Sequence, residues 1–166
     1  GVLIQTATSL QNRALLTGDR SQSQVSTSIR PIVVYAEDGS ENSTVEEFYM
    51  TLKLAPGSDA VKFDDLLIEF SLMNVSVDLT YGENVTTCDP DGLGTSFDVE
   101  YLIDGGNQVP GYLQRGDVVK LCFESPREVE EDESISITMV PKVGSPTVIT
   151  TAMPDIITEQ RVNLFP

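Results

Sequence analysis

The sequence predicts a mostly β fold, an antiparallel β-sandwich or barrel, preceded by an N-terminal α-helix. Three observations carry this. After Pro31 the chain is a series of short runs rich in β-branched and aromatic residues, the clearest of which alternate apolar and polar side chains. Gly, Pro, Asp and Ser clusters separate those runs. Before residue 28, by contrast, apolar residues recur at helical spacing.

Residues 1–28 read as the helix segment. Leu3, Ala7, Leu10 and Ala14 are spaced 4-3-4, which places them in one stripe, and Gly and Pro are absent from 2–17. Gly18 interrupts the pattern, and the polar run Asp19 to Ser28 continues weakly helical or becomes a linker. Pro31 closes the region, because the residue before a proline is pushed out of helix. Residues 29–166 form the β-domain. Strands are expected over Ile32–Ala36, Glu47–Leu54, Leu66–Met73, Ser76–Tyr81, Phe97–Ile103, Asp117–Glu124, Ser134–Val140, Thr147–Thr151 and Arg161–Phe165. Phe97, Val99, Tyr101 and Ile103 share one face of their strand. With no helical pattern between the runs, eight or nine strands point to antiparallel pairing around one core.

The 166 residues suit a single domain with a short extension, and 40% hydrophobic residues suit a packed core. The 26 acidic residues against 10 basic ones give a net charge of −16, which repels nucleic-acid phosphates and anionic lipid. Such a surface suits a solvent rich in salt or divalent cations, where screening weakens self-repulsion. The chain has no His, so Ser-His-Asp and Cys-His constellations and imidazole metal ligands are excluded, while a carboxylate-only site stays open. No run approaches the roughly 18 apolar residues of a membrane-spanning helix. Gly1-Val-Leu-Ile reads as the tail of a longer apolar stretch. Two cysteines, Cys88 and Cys122, are too few for a disulfide scaffold and too far apart for a zinc knuckle. In an exported chain they can bridge; otherwise they are two free thiols, with Cys122 buried in its strand.

The helix stripe has no helical partner elsewhere in the chain. It therefore packs on the β-domain or on copies of itself, and the second choice means an oligomer or a fibre. The opening Gly-Val-Leu-Ile-Gln-Thr-Ala-Thr-Ser-Leu-Gln-Asn-Arg-Ala, with Leu-Thr-Gly at 16–18, closely resembles archaeal flagellins (archaellins). So do Leu113-Gln-Arg-Gly-Asp-Val-Val-Lys-Leu, Val140-Pro-Lys-Val-Gly-Ser-Pro-Thr and Met153-Pro-Asp. The resemblance implies an immunoglobulin-like β-sandwich facing solvent and an N-terminal helix bundled in a filament core. It assigns the core contacts to Val2, Leu3, Ala7, Leu10 and Ala14. It also implies a pilin-like export route in which an upstream hydrophobic half of the helix is absent here, so that the chain as given does not polymerise and meets membrane only through that segment, before assembly.

Other residues are candidates for binding or modification. Asn42, Asn74 and Asn84 each begin an Asn-X-Ser/Thr triplet at a turn or strand end, the pattern of an N-glycosylation acceptor. Counted from Asp89, the stretch through Asp91, Gly94 and Glu100 nearly follows a calcium loop, with Asp98 as a further carboxylate. Leu93 occupies a ligand position and the flanks read as strands, so a polar hairpin loop is favoured over a Ca2+ site. Arg115-Gly116-Asp117 reads as a turn and not as an adhesion tripeptide, and Glu128 to Glu133 as a solvated acidic loop. The expected function is that of an extracellular, non-enzymatic filament subunit whose partners are copies of itself and other flagellins. The alternatives are an adhesive pilin-like subunit and an envelope-anchored binding module.

Overall fold

The computed structural model of the chain describes residues 27–39, 42, 44–83, 87–90 and 94–166. The helix expected over 1–28, and the stripe Val2, Leu3, Ala7, Leu10 and Ala14 with it, lies outside the described residues apart from Thr27 and Ser28, which lead directly into the first strand. From there the domain is mostly strand: β1 (Ile29–Glu37), β2 (Val45–Leu54), β3 (Val61–Lys62), β4 (Leu66–Ser71), β5 (Ser76–Tyr81) and β6 (Ser96–Ile103), then β7 (Tyr112–Leu113), β8 (Val118–Val129), β9 (Ser134–Pro141), β10 (Thr147–Ala152) and β11 (Arg161–Phe165). A single 3-10 turn, Phe63–Asp65, is the one helical element among the described residues.

Nine strands join into one sheet in the order β10-β9-β4-β5-β6-β8-β2-β1-β11, and β3 pairs with β7 as a separate ribbon. Every pairing is antiparallel except β5 with β6, which is held over only Thr80↔Ser96 and Tyr81↔Phe97. That short parallel seam divides the sheet into a four-strand half and a five-strand half. The halves face each other across one core: the ring of Phe70 on β4 lies 4.9 Å from Phe48 on β2 and 5.0 Å from Phe123 on β8. The two outermost strands also meet, where the Thr151 hydroxyl donates to the Leu164 carbonyl at 3.1 Å.

Alternation explains the long central strand. Val119, Leu121 and Phe123 of β8 point inward and are fully buried, while Lys120, Cys122 and Glu124 point outward. β2 answers with Phe48, Met50 and Leu52, also fully buried. Each large apolar side chain removed from water in this way stabilises the fold by roughly 2–3 kcal/mol.

Two strands run three or more residues past their sequence patterns. β1 begins at Ile29 and passes through Pro31. β11 pairs only with Val34–Glu37, so at Pro31 one side of β1 is a free edge, where a residue without an N–H is tolerated. β8 continues past Glu124 to Val129, across an irregularity where β2 shifts register between Val45 and Glu47.

Candidate functional site

Cys88 and Cys122 are joined, with Sγ–Sγ 2.02 Å. Cys122 stands on the outward face of β8, paired with Tyr49 on one side and Asp98 on the other. The bridge therefore fastens the 87–90 segment across the outside of the five-strand half, and the Cys88 sulfur rests 3.6 Å from the carbonyl oxygens of Asp98 and Lys120. The loop it closes spans a sequence separation of 34 and includes β6 and β7.

Beside the bridge the outward face carries an aromatic and ionic row that the sequence pattern did not single out. Tyr35 and Tyr49 stack with centroids 4.9 Å apart. The Arg161 guanidinium lies 4.2 Å from the Tyr35 centroid and the Lys120 ammonium 5.6 Å from that of Tyr49, within the range of a cation–π attraction. Glu37 binds Arg161 at 3.0 Å and Glu100 binds Lys120 at 3.0 Å. Burial raises the Tyr49 hydroxyl pKa above its ordinary value, and the Glu47 and Glu37 charges add to the effect. The only advance sign was β-strand alternation, which places Tyr35, Tyr49 and Lys120 on outward positions of neighbouring strands.

The carboxylates weighed as a cation loop are described only in part. Asp91 lies outside the described residues. Asp98 is buried on β6, Glu100 on the same face is held by Lys120, and Asp89 is exposed before the bend. Among the described residues no three Asp, Glu or Cys side chains come together as a metal-binding group.

Two of the three sequons are described. Asn42 is exposed, with its amide donating to Glu128 Oε1 at 2.8 Å and its oxygen accepting from the Thr44 amide at 3.2 Å and from the Thr44 hydroxyl. Asn74, in the β4–β5 turn, is exposed, and its oxygen accepts from Arg127 Nε at 3.2 Å and Nη2 at 2.9 Å. Asn84 lies outside the described residues.

Arg127 is the hub of the far end of the domain. It donates from Nη1 to Glu133 Oε1 at 2.9 Å and from Nη2 to Glu133 Oε2, and from Nη1 to the Glu128 carbonyl at 3.0 Å. The Arg127 hydrogen bond holds the Glu133 carboxyl below its usual pKa. Glu133 is 8% exposed, so the acidic run that reads as solvated ends in a buried residue. Arg127, the one cation directly before that run, was the available clue. A depression of about 710 Å³ opens beside the pair, lined by Met73, Asn74, Arg127 and five carboxylates.

Asp117 is 1% exposed and accepts from the Gly105 amide at 2.7 Å and the Gln114 amide at 2.9 Å. The Arg115-Gly116-Asp117 segment is thus a turn whose carboxylate is committed inward, unable to reach a receptor. Gly105 is required at this contact, because a Cβ there would stand 2.8 Å from the Arg115 carbonyl oxygen.

Comparison with known proteins relates the chain to one family. The family model of the archaeal-type flagellins matches residues 1–151. Flagellin B3 of Halobacterium salinarum is 27% identical over 158 residues, covering 93% of this chain and 78% of that one. Flagellin A1 of Haloferax volcanii is 30% identical over 122 residues, covering 70% and 53%. Among solved structures, archaeal flagellin FlaB1 from Methanocaldococcus jannaschii superposes with TM-score 0.73 at 15% identity, over 83% of this chain and 96% of that one. The archaeal flagellum of Methanospirillum hungatei superposes with TM-score 0.64 at 14% identity, over 99% and 87%. At these identities the structural matches speak for the fold.

Proposed function

The chain belongs to the archaeal-type flagellin family, and from that premise we propose that its β-domain is the outer, solvent-facing part of a filament subunit whose N-terminal segment packs in the filament core. It is a structural subunit of the archaeal flagellum, an extracellular filament that serves motility. The observation that carries this reading is the extent of the family match, which runs through the N-terminal segment and most of the β-domain without a break.

Within that reading, the stripe Val2, Leu3, Ala7, Leu10 and Ala14 meets equivalent helices of neighbouring subunits, where its apolar atoms leave water. The β-domain is assigned to the immunoglobulin-like sandwiches. In support stand the antiparallel ladders on both sides of the β5–β6 seam and the Phe48, Phe70 and Phe123 rings shared between facing halves. Exposed Asn42 and Asn74 are the described glycan acceptors, and Asn84 is assigned on its triplet alone. The role assigned to the protein is mechanical, with no catalytic group.

The test is mass spectrometry of filaments sheared from cells that carry the protein, with electron microscopy of the same preparation. Peptides of this chain should dominate thin filaments, some of them bearing glycan at the sequons. Filaments free of the chain, with the protein retained on the envelope, would overturn the reading in favour of an anchored binding module.

A further inference from the structure

Basic side chains are scarce here, 10 against 26 acidic ones, so their placement is informative. Arg127, Arg161 and Lys120 are each held by a carboxylate, from Glu133, Glu37 and Glu100. Arg30 and Lys53 are placed in the opposite way. They are directly opposed on β1 and β2, both are exposed, and among the described residues neither forms an ion pair. Like charges directly opposite on neighbouring strands destabilise the pairing. The fold thus leaves two cations side by side at the end of the sheet where the N-terminal segment enters.

The other end of the domain is acidic. Val129 pairs with Val45 at the start of β2, whereas Lys53 lies near the end of that strand, about 25 Å away at the rise of an extended chain. Beyond Val129 the turn into β9 exposes Glu130, Glu131 and Asp132. Glu131 accepts from the Ile157 amide at 2.9 Å. The side chains of Glu130 and Asp132 form no ion pair among the described residues, and Asp132 stands at the bend with φ 62°.

We propose that the Arg30–Lys53 pair of one subunit receives the Glu130/Asp132 turn of a neighbouring copy, forming a head-to-tail contact between outer domains. The inference rests on the filament reading above. Complementary charges lie on the same molecule but at opposite ends, too far apart to meet within one chain, so a second copy is the partner that supplies them. A contact between two different patches leaves one of each free on every added copy; where its rotation does not close a ring, it propagates along a helical assembly, as a filament requires. It also orients an incoming subunit, since potentials of opposite sign steer the encounter and like charges oppose the reversed orientation.

The experiment replaces the wild-type chain in cells with charge variants and measures filament mass by shearing and electron microscopy, alongside thermal melting of each variant chain. Arg30→Glu with Lys53→Glu should lower filament mass about tenfold or more, since like charges brought together at an interface cost several kcal/mol. Melting should stay at the wild-type temperature. Adding Glu130→Lys and Asp132→Asn should restore filaments; Asn is chosen because it tolerates the left-handed backbone at that position. Normal filament yield from the first variant overturns the proposal, and so does a loss that the second pair does not restore. A loss explained by lower melting overturns it too, pointing to an intrachain partner such as Asp19, the one carboxylate in residues 1–26. Absence of wild-type filaments would refute the filament reading itself and is recognised before any variant is compared.

Discussion

Removing the Cys88–Cys122 bridge by Cys88→Ala with Cys122→Ala should lower stability chiefly through the unfolded chain. The bridge closes a loop of sequence separation 34. In the chain-entropy model a loop of that length withholds about 4 kcal/mol of conformational freedom from the denatured state. For a domain over residues 27–166, each kcal/mol moves the melting temperature by roughly 3–4 °C, so the variant should melt about 12–15 °C lower. Calorimetry gives that shift directly. Guanidinium titration supplies a second signature: an unbridged denatured chain exposes more surface, so the denaturant slope should rise. Hydrogen exchange should locate a local effect, with amides of the 87–90 segment losing protection more than those of central β8, because the bridge alone ties that segment to the strand's outer face by a covalent bond. A melting shift below about 4 °C with an unchanged slope would refute the reasoning. It would mean that the denatured chain is already compact between residues 88 and 122.

Three further outcomes are expected. Glu133→Gln should cost about 2–3 kcal/mol, below the usual 3–5 for breaking a buried pair because the Arg127 side chain is 34% exposed. Since the folded state holds the Glu133 carboxyl below its unfolded pKa, its contribution is complete above about pH 5 and is lost as pH falls through the folded value. The gap between wild type and Glu133→Gln in urea unfolding should therefore be level from pH 5 to 8 and close on acidification. Asp117→Ala should cost about 2–3 kcal/mol by chemical denaturation, because the half-buried Gly105 and Gln114 amides lose a buried, charged acceptor. Phe70→Ala should cost roughly 3–5 kcal/mol and loosen the seam between facing halves, visible as lost near-ultraviolet ellipticity at the Phe48–Phe70–Phe123 cluster.

Much of the fold was legible because its strands obey period two. The inward sets Val119, Leu121, Phe123 and Phe48, Met50, Leu52 follow from alternation once one face is known to be apolar. Where local signals competed, legibility failed. Pro31 reads as a boundary, yet β1 runs through it because an unpaired edge needs no N–H there. Glu128 to Glu133 reads as a solvated acidic loop, yet Glu133 pairs with Arg127 and is buried against the domain. Asp117 reads as a turn residue, and only the neighbouring 104–111 loop turns it into a buried acceptor.

By itself the sequence determined the class of the β-domain, the positions of nine of the eleven described strands, its acidity, its lack of imidazole chemistry and its kinship with archaeal flagellins, because periodicity, composition and local motifs are properties of neighbouring residues. Tertiary structure alone decided the strand order, the parallel β5–β6 seam, the Tyr35–Tyr49 row and the opposed Arg30 and Lys53. Each of these depends on which distant strands pair and in what register. That choice is set by the collective packing of side chains far apart in the chain, which no local pattern encodes.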